Sequence, residues 1–107
     1  MKIITQEEYQ DKVKVGTVLV DFSELICQPC AFLKEFLVQL EDSFPTIDFY
    51  EVICEENKEL TKEMRIISVP TLFIYKDGKP IKVIYGLQTK EALERVLSQY
   101  GEKKTAT

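Results

Sequence analysis

The fold is decided by residues 18–30, VLVDFSELICQPC, an apolar run that passes through a short loop into two cysteines spaced C-x-x-C. Residues 18–22 are apolar without alternation except at Asp21, which predicts a central strand covered on both faces. Residues 31–43 have helical periodicity, so we expect Cys27 where a helix begins. Unpaired N–H groups and the helix dipole stabilise a thiolate there, and a thiolate is the nucleophile of disulfide exchange.

The rest of the chain supplies the other elements of an α/β fold. Strands are predicted at about 2–4, 47–54, 71–75 and 81–85, and helices at about 6–12, 58–65 and 89–100. The pair Asp77-Gly78 predicts a two-residue hairpin turn, so the last two strands should be antiparallel. The predicted order is therefore β-α-β-α-β-α-β-β-α, a mixed central sheet with helices on both faces.

Length and charge limit the organisation and the partners. A chain of 107 residues fits one compact domain, which we expect at 1–101, with a disordered tail at 102–107 after Gly101 ends the last helix. The formal charge of −4 and the scattered basic residues give no footprint for nucleic acid. The N-terminus lacks a signal-peptide pattern, and no apolar run approaches the roughly 18 residues of a membrane span. We therefore expect a cytoplasmic protein that does not bind membranes.

Three cysteines and the absence of histidine narrow the chemistry. In a reducing compartment, a C-x-x-C motif near a βαβ pattern indicates redox work rather than a structural disulfide framework. Without histidine, Cys-His nucleophilic catalysis and His-ligated metal sites are excluded. A zinc site needs about four ligands, and one C-x-x-C motif with only Cys54 to spare does not supply them. The residues alone still allow two buried thiols in a non-catalytic domain.

Asp21 and Cys54 each have two interpretations. Asp21 is either an ordinary aspartate with a hydrogen-bond partner or water, or a buried carboxyl whose pKa is raised by desolvation and which can accept a proton near neutral pH. Cys54 comes at the end of a predicted strand, and we interpret it as a packed core thiol. The alternative is a regulatory thiol that is oxidised or paired between chains.

The order of elements and three motifs resemble the thioredoxin family. Residues 18–22 are similar to its buried strand with an aspartate, residues 27–30 to its C-G-P-C active site, and residues 68–72 to its cis-proline loop. Gly86 matches the glycine beside the family's substrate groove. The resemblance covers about residues 1–100 and implies a thioredoxin fold. It also implies a monomeric thiol–disulfide oxidoreductase that reduces protein disulfides, uses an external reductase as electron donor and holds no cofactor or metal.

The resemblance also assigns roles by position. Cys27 would be the attacking thiolate, Cys30 the resolving thiol, and Asp21 the carboxylate that relays a proton to or from Cys30. Pro70 would be cis and pack against the cysteine pair, which leaves the Val69 backbone free to pair with an incoming peptide. The residues expected to contact extended substrate segments are Ile26, Gln28, Pro29, Val69, Pro70 and Gly86. Of these, Ile26, Val69, Pro70 and Gly86 should form an exposed apolar rim around the thiol.

Five positions depart from the family pattern. They are Ile26 in place of tryptophan, Gln28 in place of glycine, Ala31 in place of lysine, Glu35 in place of proline, and Glu51 in place of a lysine that often accompanies the buried aspartate. We expect these changes to affect redox potential and partner docking more than the fold. They leave two alternatives open: an interaction module with little redox activity, and a more oxidising glutaredoxin-like or isomerase-like enzyme.

Overall fold

A five-stranded mixed sheet forms the centre of the computed structural model, which describes residues 1–104. The strands are β1 (Lys2–Ile3), β2 (Thr17–Ser23), β3 (Ile47–Ile53), β4 (Thr71–Lys76) and β5 (Lys79–Tyr85). The helices are α1 (Tyr9–Val13), α2 (Gln28–Ser43), α3 (Lys58–Glu63) and α4 (Lys90–Leu97), and a 3-10 turn at Cys54–Glu56 precedes α3. This order confirms the predicted α/β fold.

The strands lie in the order β1-β3-β2-β4-β5, with β2 in the middle. β2 pairs parallel with β3 and antiparallel with β4, and β4 and β5 form the predicted hairpin. Asp77 (φ 48°) and Gly78 (φ 85°) both adopt the left-handed backbone that a two-residue turn of this kind requires. Pro80 lies on the edge strand β5, where its missing N–H is tolerated.

Alternation along β2 divides the core into two layers, because successive side chains of a strand point to opposite faces. The first layer, towards α1 and α3, is called here the aromatic layer and includes Tyr9, Phe22, Phe73 and Tyr75. The second, towards α2 and α4, is called the α2 layer and includes Leu19, Leu33, Leu37, Leu40, Leu93 and Leu97. By the same alternation, Asp21 and Ser23 lie on the side of the α2 layer. All seven residues of β2 are buried.

Several predicted boundaries differ from the structure; α4, for example, ends at Leu97 rather than near residue 100. The first helix begins at Tyr9 rather than near residue 6, and residues 6–8 form turns. Cys54 begins a 3-10 turn instead of ending β3. The third helix ends two residues early, because Arg65 adopts a left-handed backbone with φ 56°.

The first residues of the predicted tail lie against the body of the protein. The Lys104 backbone N–H donates to the Ser43 carbonyl at 2.7 Å, and Lys103 forms an ion pair with Glu94. Residues 105–107 of the predicted tail lie outside the described residues, and the disordered tail at 102–107 stays a prediction. The division at residue 101 stays a prediction. Among the helices within residues 1–104, none has the length and apolar character that crossing a membrane requires.

Candidate active site

The C-x-x-C motif lies where β2 leads into α2. Cys27 is the N-cap residue of α2, and its Sγ accepts the backbone N–H of Cys30 at 3.2 Å. Pro29 sits in the first turn, where a missing N–H costs nothing. Cys27 and Cys30 are joined as a disulfide, with their Cα atoms 5.2 Å apart. The predicted position of Cys27 at the helix start is confirmed.

The two cysteines differ in their access to solvent. Cys27 is partly exposed, whereas Cys30 is buried, with 4% of its surface accessible. An incoming group therefore meets the sulfur of Cys27 first, while Cys30 faces the protein interior. A cleft of about 200 Å³ opens beside them and is lined by both cysteines and, among others, by Ser23, Lys34 and Glu51.

Asp21 is completely buried, and neither of its carboxylate oxygens has a hydrogen-bond partner within residues 1–104. Desolvation raises the pKa of this carboxyl to about 7; the charge of Glu51 adds to the rise and that of Lys34 opposes it. Of the two interpretations, the structure supports the buried carboxyl over the aspartate with a hydrogen-bond partner. Its part in the reaction stays a prediction.

The departure at Glu51 has a structural explanation that sequence reasoning missed. Glu51 is the partner of Asp21 in the β2–β3 register and is itself buried. Its Oε2 accepts the Ser23 hydroxyl at 2.8 Å, and its Oε1 lies 2.9 Å from Lys34 Nζ. The sequence did contain a signal for this ion pair, because Lys34 follows Cys30 by four residues and therefore lies on the same face of α2.

The loop before β4 contains a cis peptide bond between Val69 and Pro70, as the resemblance implies. Gly86 approaches this loop, and its N–H donates to the Pro70 carbonyl at 2.9 Å. Val69 and Gly86 are partly exposed, and Ile26 is 97% exposed. The expectation that Pro70 belongs to the exposed rim is wrong, because its side chain is buried beneath the loop.

Further exposed apolar side chains flank the predicted rim residues along the chain. Leu25 (62% exposed) precedes Ile26, Ile67 (94%) lies just before the cis-proline loop, and Leu87 (46%) follows Gly86. Sequence reasoning missed all of them, although each is close to a motif residue. Gln28 and Pro29, between the cysteines, are exposed as predicted.

Cys54 is a free cysteine and is buried. Burial is the main cause that raises the pKa of its thiol, which lowers the thiolate fraction at neutral pH. These properties are those of the packed core thiol that we expected. The alternative, a regulatory thiol, stays untested.

The family model named Thioredoxin matches residues 1–99. The chain belongs to the thioredoxin family. It is 29% identical over 100 residues to a thioredoxin of Chlamydia trachomatis serovar D, covering 94% of this chain and 98% of the relative. A Staphylococcus aureus thioredoxin is 32% identical over 98 residues, covering 91% and 94%. The solved structure of a Plasmodium falciparum thioredoxin matches with a TM-score of 0.88 at 27% identity, covering 94% of this chain and all of that one.

Membership of the thioredoxin family and the disulfide-forming pair Cys27–Cys30 together establish the activity. The protein is a thiol–disulfide oxidoreductase that reduces protein disulfides. Its partners are accordingly protein disulfide substrates and a reductase that supplies electrons. The thioredoxin fold and the reduction of protein disulfides that the resemblance implies are confirmed. The monomeric state and the absence of a cofactor or metal stay predictions.

Proposed function

We propose that Cys27 is the attacking thiolate and Cys30 the resolving thiol of this protein disulfide reductase. The difference in exposure between the two residues carries the proposal. In the reduced protein, the Cys27 thiolate attacks a substrate disulfide, forming a mixed disulfide and releasing one substrate thiolate. The Cys30 thiolate then attacks the Cys27 sulfur, which re-forms the pair and releases the second substrate sulfur as a thiolate.

We propose that Asp21 is the group that accepts the proton of the Cys30 thiol. Cys30 must lose this proton before it can attack, and its burial keeps bulk water away. A carboxyl whose pKa is raised to about 7 exists in both protonation states near neutral pH, as a general base needs. Asp21 accepts the proton in the resolving step and returns one when a reductase reopens the disulfide.

Extended substrate segments would lie across the apolar rim beside Cys27. Ile26 and Ile67 are almost fully exposed, and a bound segment would remove their surface from water. Gln28 and Pro29 border the sulfur, while Val69 offers its backbone to the segment. Gly86 leaves space beside the groove, and the carbonyl of the buried Pro70 accepts the Gly86 N–H.

The oligomeric state, cellular location and electron donor of the protein are also part of this proposal. The protein would act as a monomer in the cytoplasm, taking electrons from a thioredoxin reductase or an equivalent enzyme and contributing to electron transport and redox homeostasis. It would need no bound cofactor and would bind neither nucleic acid nor membrane. A free Cys54 beside a reversible pair is typical of a reducing compartment, and scattered basic residues do not favour nucleic acid.

Single serine variants test the roles of the cysteines. We expect Cys27→Ser to abolish insulin disulfide reduction in the presence of dithiothreitol. Cys30→Ser should still attack but accumulate a covalent mixed disulfide with insulin chains, visible on non-reducing gels. Cys54→Ser, which removes the third thiol, is the control and should keep the parent rate.

The opposite pattern would contradict the assignment. Adducts formed by Cys27→Ser but not by Cys30→Ser would exchange the two roles. Full activity in Cys27→Ser would remove the pair from the reaction altogether. Weak insulin reduction by the unsubstituted protein would favour the interaction module.

The positions Ile26, Gln28 and Ala31 favour one second candidate, a more oxidising enzyme, because all three differ from the family pattern around the thiolate. Equilibration with dithiothreitol or glutathione buffers measures the potential of the pair. A reductase should lie near about −270 mV, and an isomerase-like enzyme near about −180 mV. We expect the lower value.

A further inference from the structure

Two carboxyl groups lie side by side beneath α2. Asp21 of β2 and Glu51 of β3 are partners in the parallel register, so their side chains project from the same face of the sheet. Asp21 is 0% exposed and Glu51 is 6% exposed. Two buried carboxylates at neighbouring positions repel each other when both are charged. The arrangement therefore requires either a counter-charge or a bound proton.

A positively charged side chain lies beside Glu51 but does not pair with Asp21. Lys34 Nζ lies 2.9 Å from Glu51 Oε1, and the Ser23 hydroxyl donates to Glu51 Oε2 at 2.8 Å. Within residues 1–104, no group donates a hydrogen bond to either oxygen of Asp21. Glu51 thus has a cation and a hydroxyl donor beside it, whereas Asp21 has neither. Lys34 and Glu51 are called here the charge pair.

The charge pair is closer to solvent than Asp21 is. Both of its residues line the cleft beside Cys27 and Cys30, and Lys34 is 43% exposed at its side chain. Asp21, completely buried behind them, is not among the residues that line this cleft. A change of charge at the cleft wall is therefore felt by Asp21 through a short, poorly screened path.

The other elements around Asp21 bring few charges to it. On the β4 side its register partner is Leu72, and the inward residues of α4, such as Leu93, are apolar. Glu24 lines the outer part of the cleft but is exposed to solvent, which screens its charge. The 3-10 turn after β3 adds Cys54, whose pKa is raised by burial and by nearby carboxylates that include Asp21. The active-site cysteines at the start of α2 are the reacting groups themselves. The charge pair is thus the main electrostatic influence on Asp21 besides the reaction.

We propose that the charge pair of Lys34 and Glu51 controls the protonation of Asp21 and thereby sets the pH at which Cys30 resolves the mixed disulfide. Glu51 favours protonated Asp21, and Lys34 limits that effect. Both are positioning residues, since neither takes part in the sulfur exchange itself. The inference rests on the proposed role of Asp21 as the proton acceptor of Cys30. The directions of the two influences on the pKa of Asp21 agree with it.

Removing the two charges separately should shift the reaction in opposite directions. Glu51→Gln keeps the shape of the side chain and can still accept the Ser23 hydroxyl. Lys34→Met keeps the length of the side chain and removes its charge. Because only charged Asp21 accepts a proton, the resolving rate should rise with pH through the titration of Asp21. The rise should move down by about one pH unit in Glu51→Gln and up by about one in Lys34→Met.

Stopped-flow reaction of the reduced protein with dithiobis(nitrobenzoate) measures this step directly. Attack by Cys27 releases one thionitrobenzoate, and attack by Cys30 on the mixed disulfide releases the second. The rate of the second release is recorded from pH 5 to pH 9. Exposed residues supply matched controls: Glu35→Gln, on the same helix, and Lys76→Met should keep the parent profile. Circular dichroism checks that each variant is folded.

Shifts in the same direction, or shifts no larger than those of the controls, overturn the inference. If Glu51→Gln does not fold, an unshifted profile in Lys34→Met alone overturns it, since that side chain is half-exposed and tolerates replacement. The variant Asp21→Asn distinguishes a failure of the proposed role of Asp21 from a failure of the proposed role of the charge pair. If Asp21→Asn keeps the parent profile, the role of Asp21 itself fails. If Asp21→Asn loses the inflection while both charge variants leave it in place, only the charge pair fails.

Discussion

Two buried polar sites lie on opposite faces of the central sheet, and only one of them has its hydrogen bonds satisfied. In the aromatic layer, the hydroxyl oxygens of Tyr9 and Tyr75 lie 2.5 Å apart and satisfy each other. In the α2 layer, the carboxylate of Asp21 has no hydrogen-bond partner within residues 1–104. Buried polar groups are ordinarily paired, because an unpaired one keeps its full desolvation cost. The tyrosine pair is therefore structural, whereas the unpaired carboxyl of Asp21 is the group to which we assign a proposed role in the reaction.

The surroundings of the two sites explain why the molecule tolerates this cost. Around the tyrosine pair, the rings of Tyr9, Phe22, Phe73 and Tyr75 form successive contacts with centroids 5.5 to 6.2 Å apart. Such packing contributes stability in a layer that contains no part of the C-x-x-C motif. The α2 layer is apolar along most of α2 and becomes polar near Asp21, at the end of β2 that leads to the cysteines. Both layers thus contribute apolar packing, but the buried carboxyl lies only on the face of the α2 layer.

The largest expected effect comes from replacing Asp21 with asparagine. A carboxyl whose pKa is raised from 3.8 to about 7 on folding prefers its protonated form in the native state. Stability from this group is fully present below the unfolded pKa and is lost as pH rises through the folded one, a loss of about 4 kcal/mol between pH 4 and pH 8. Asp21→Asn has no such titration, so its stability relative to the parent should increase by up to this amount over that range.

Urea unfolding of parent and variant at pH 4 and pH 8 measures this difference. Asp48→Asn, at an exposed position of β3, is the control and should change the pH dependence little. A parallel pH dependence in parent and Asp21→Asn would show that Asp21 titrates normally in the folded protein. The contrast with the tyrosine pair would then disappear.

The fold was accessible from the sequence because its signals are local. An uninterrupted apolar run predicts β2, a stripe at helical spacing predicts α2, and the Asp77-Gly78 pair predicts the β4–β5 turn. Helix ends were less accessible, since Arg65 in a left-handed conformation gives no warning of the kind that a glycine gives. The site was accessible where chemistry depends on chain position, as for Cys27 at a helix start.

The remainder of the site depends on which residues meet across elements. Burial of Asp21 follows from its apolar neighbours, but the contact of Lys34 with Glu51 requires both the β2–β3 register and the rotation of α2. Neither the strand register nor the rotation of the helix can be predicted from one segment of the sequence. For the same reason the burial of Pro70 was missed, because it depends on how the loop before β4 packs rather than on its own sequence.

A smaller effect is expected from separating the tyrosine pair. Tyr9→Phe removes one hydroxyl and leaves that of Tyr75 buried without its partner, which should cost about 1–3 kcal/mol of unfolding free energy. In the double variant Tyr9→Phe/Tyr75→Phe no hydroxyl is left unpaired, so much of this loss should be recovered. Urea unfolding of the parent, both single variants and the double variant gives the coupling. Losses that simply add would mean that the hydroxyls do not depend on each other.

The smallest effect is expected from a substitution at the end of α3, which changes stability through the backbone and touches neither of the two buried polar sites. Arg65 ends α3 with φ 56°, and the N–H of Ile66 donates to the Thr61 carbonyl at 3.0 Å, as in a helix end that usually carries glycine. Arg65→Gly relieves the left-handed conformation at some entropic cost, so we expect a net gain of about 0.5–1 kcal/mol. Lys62→Gly, inside α3, is the matched control and should lose about 1 kcal/mol. Because neither change touches a buried polar group, both effects should be the same at pH 4 and pH 8. Equal losses in the two variants would show that chain entropy outweighs the left-handed strain at Arg65.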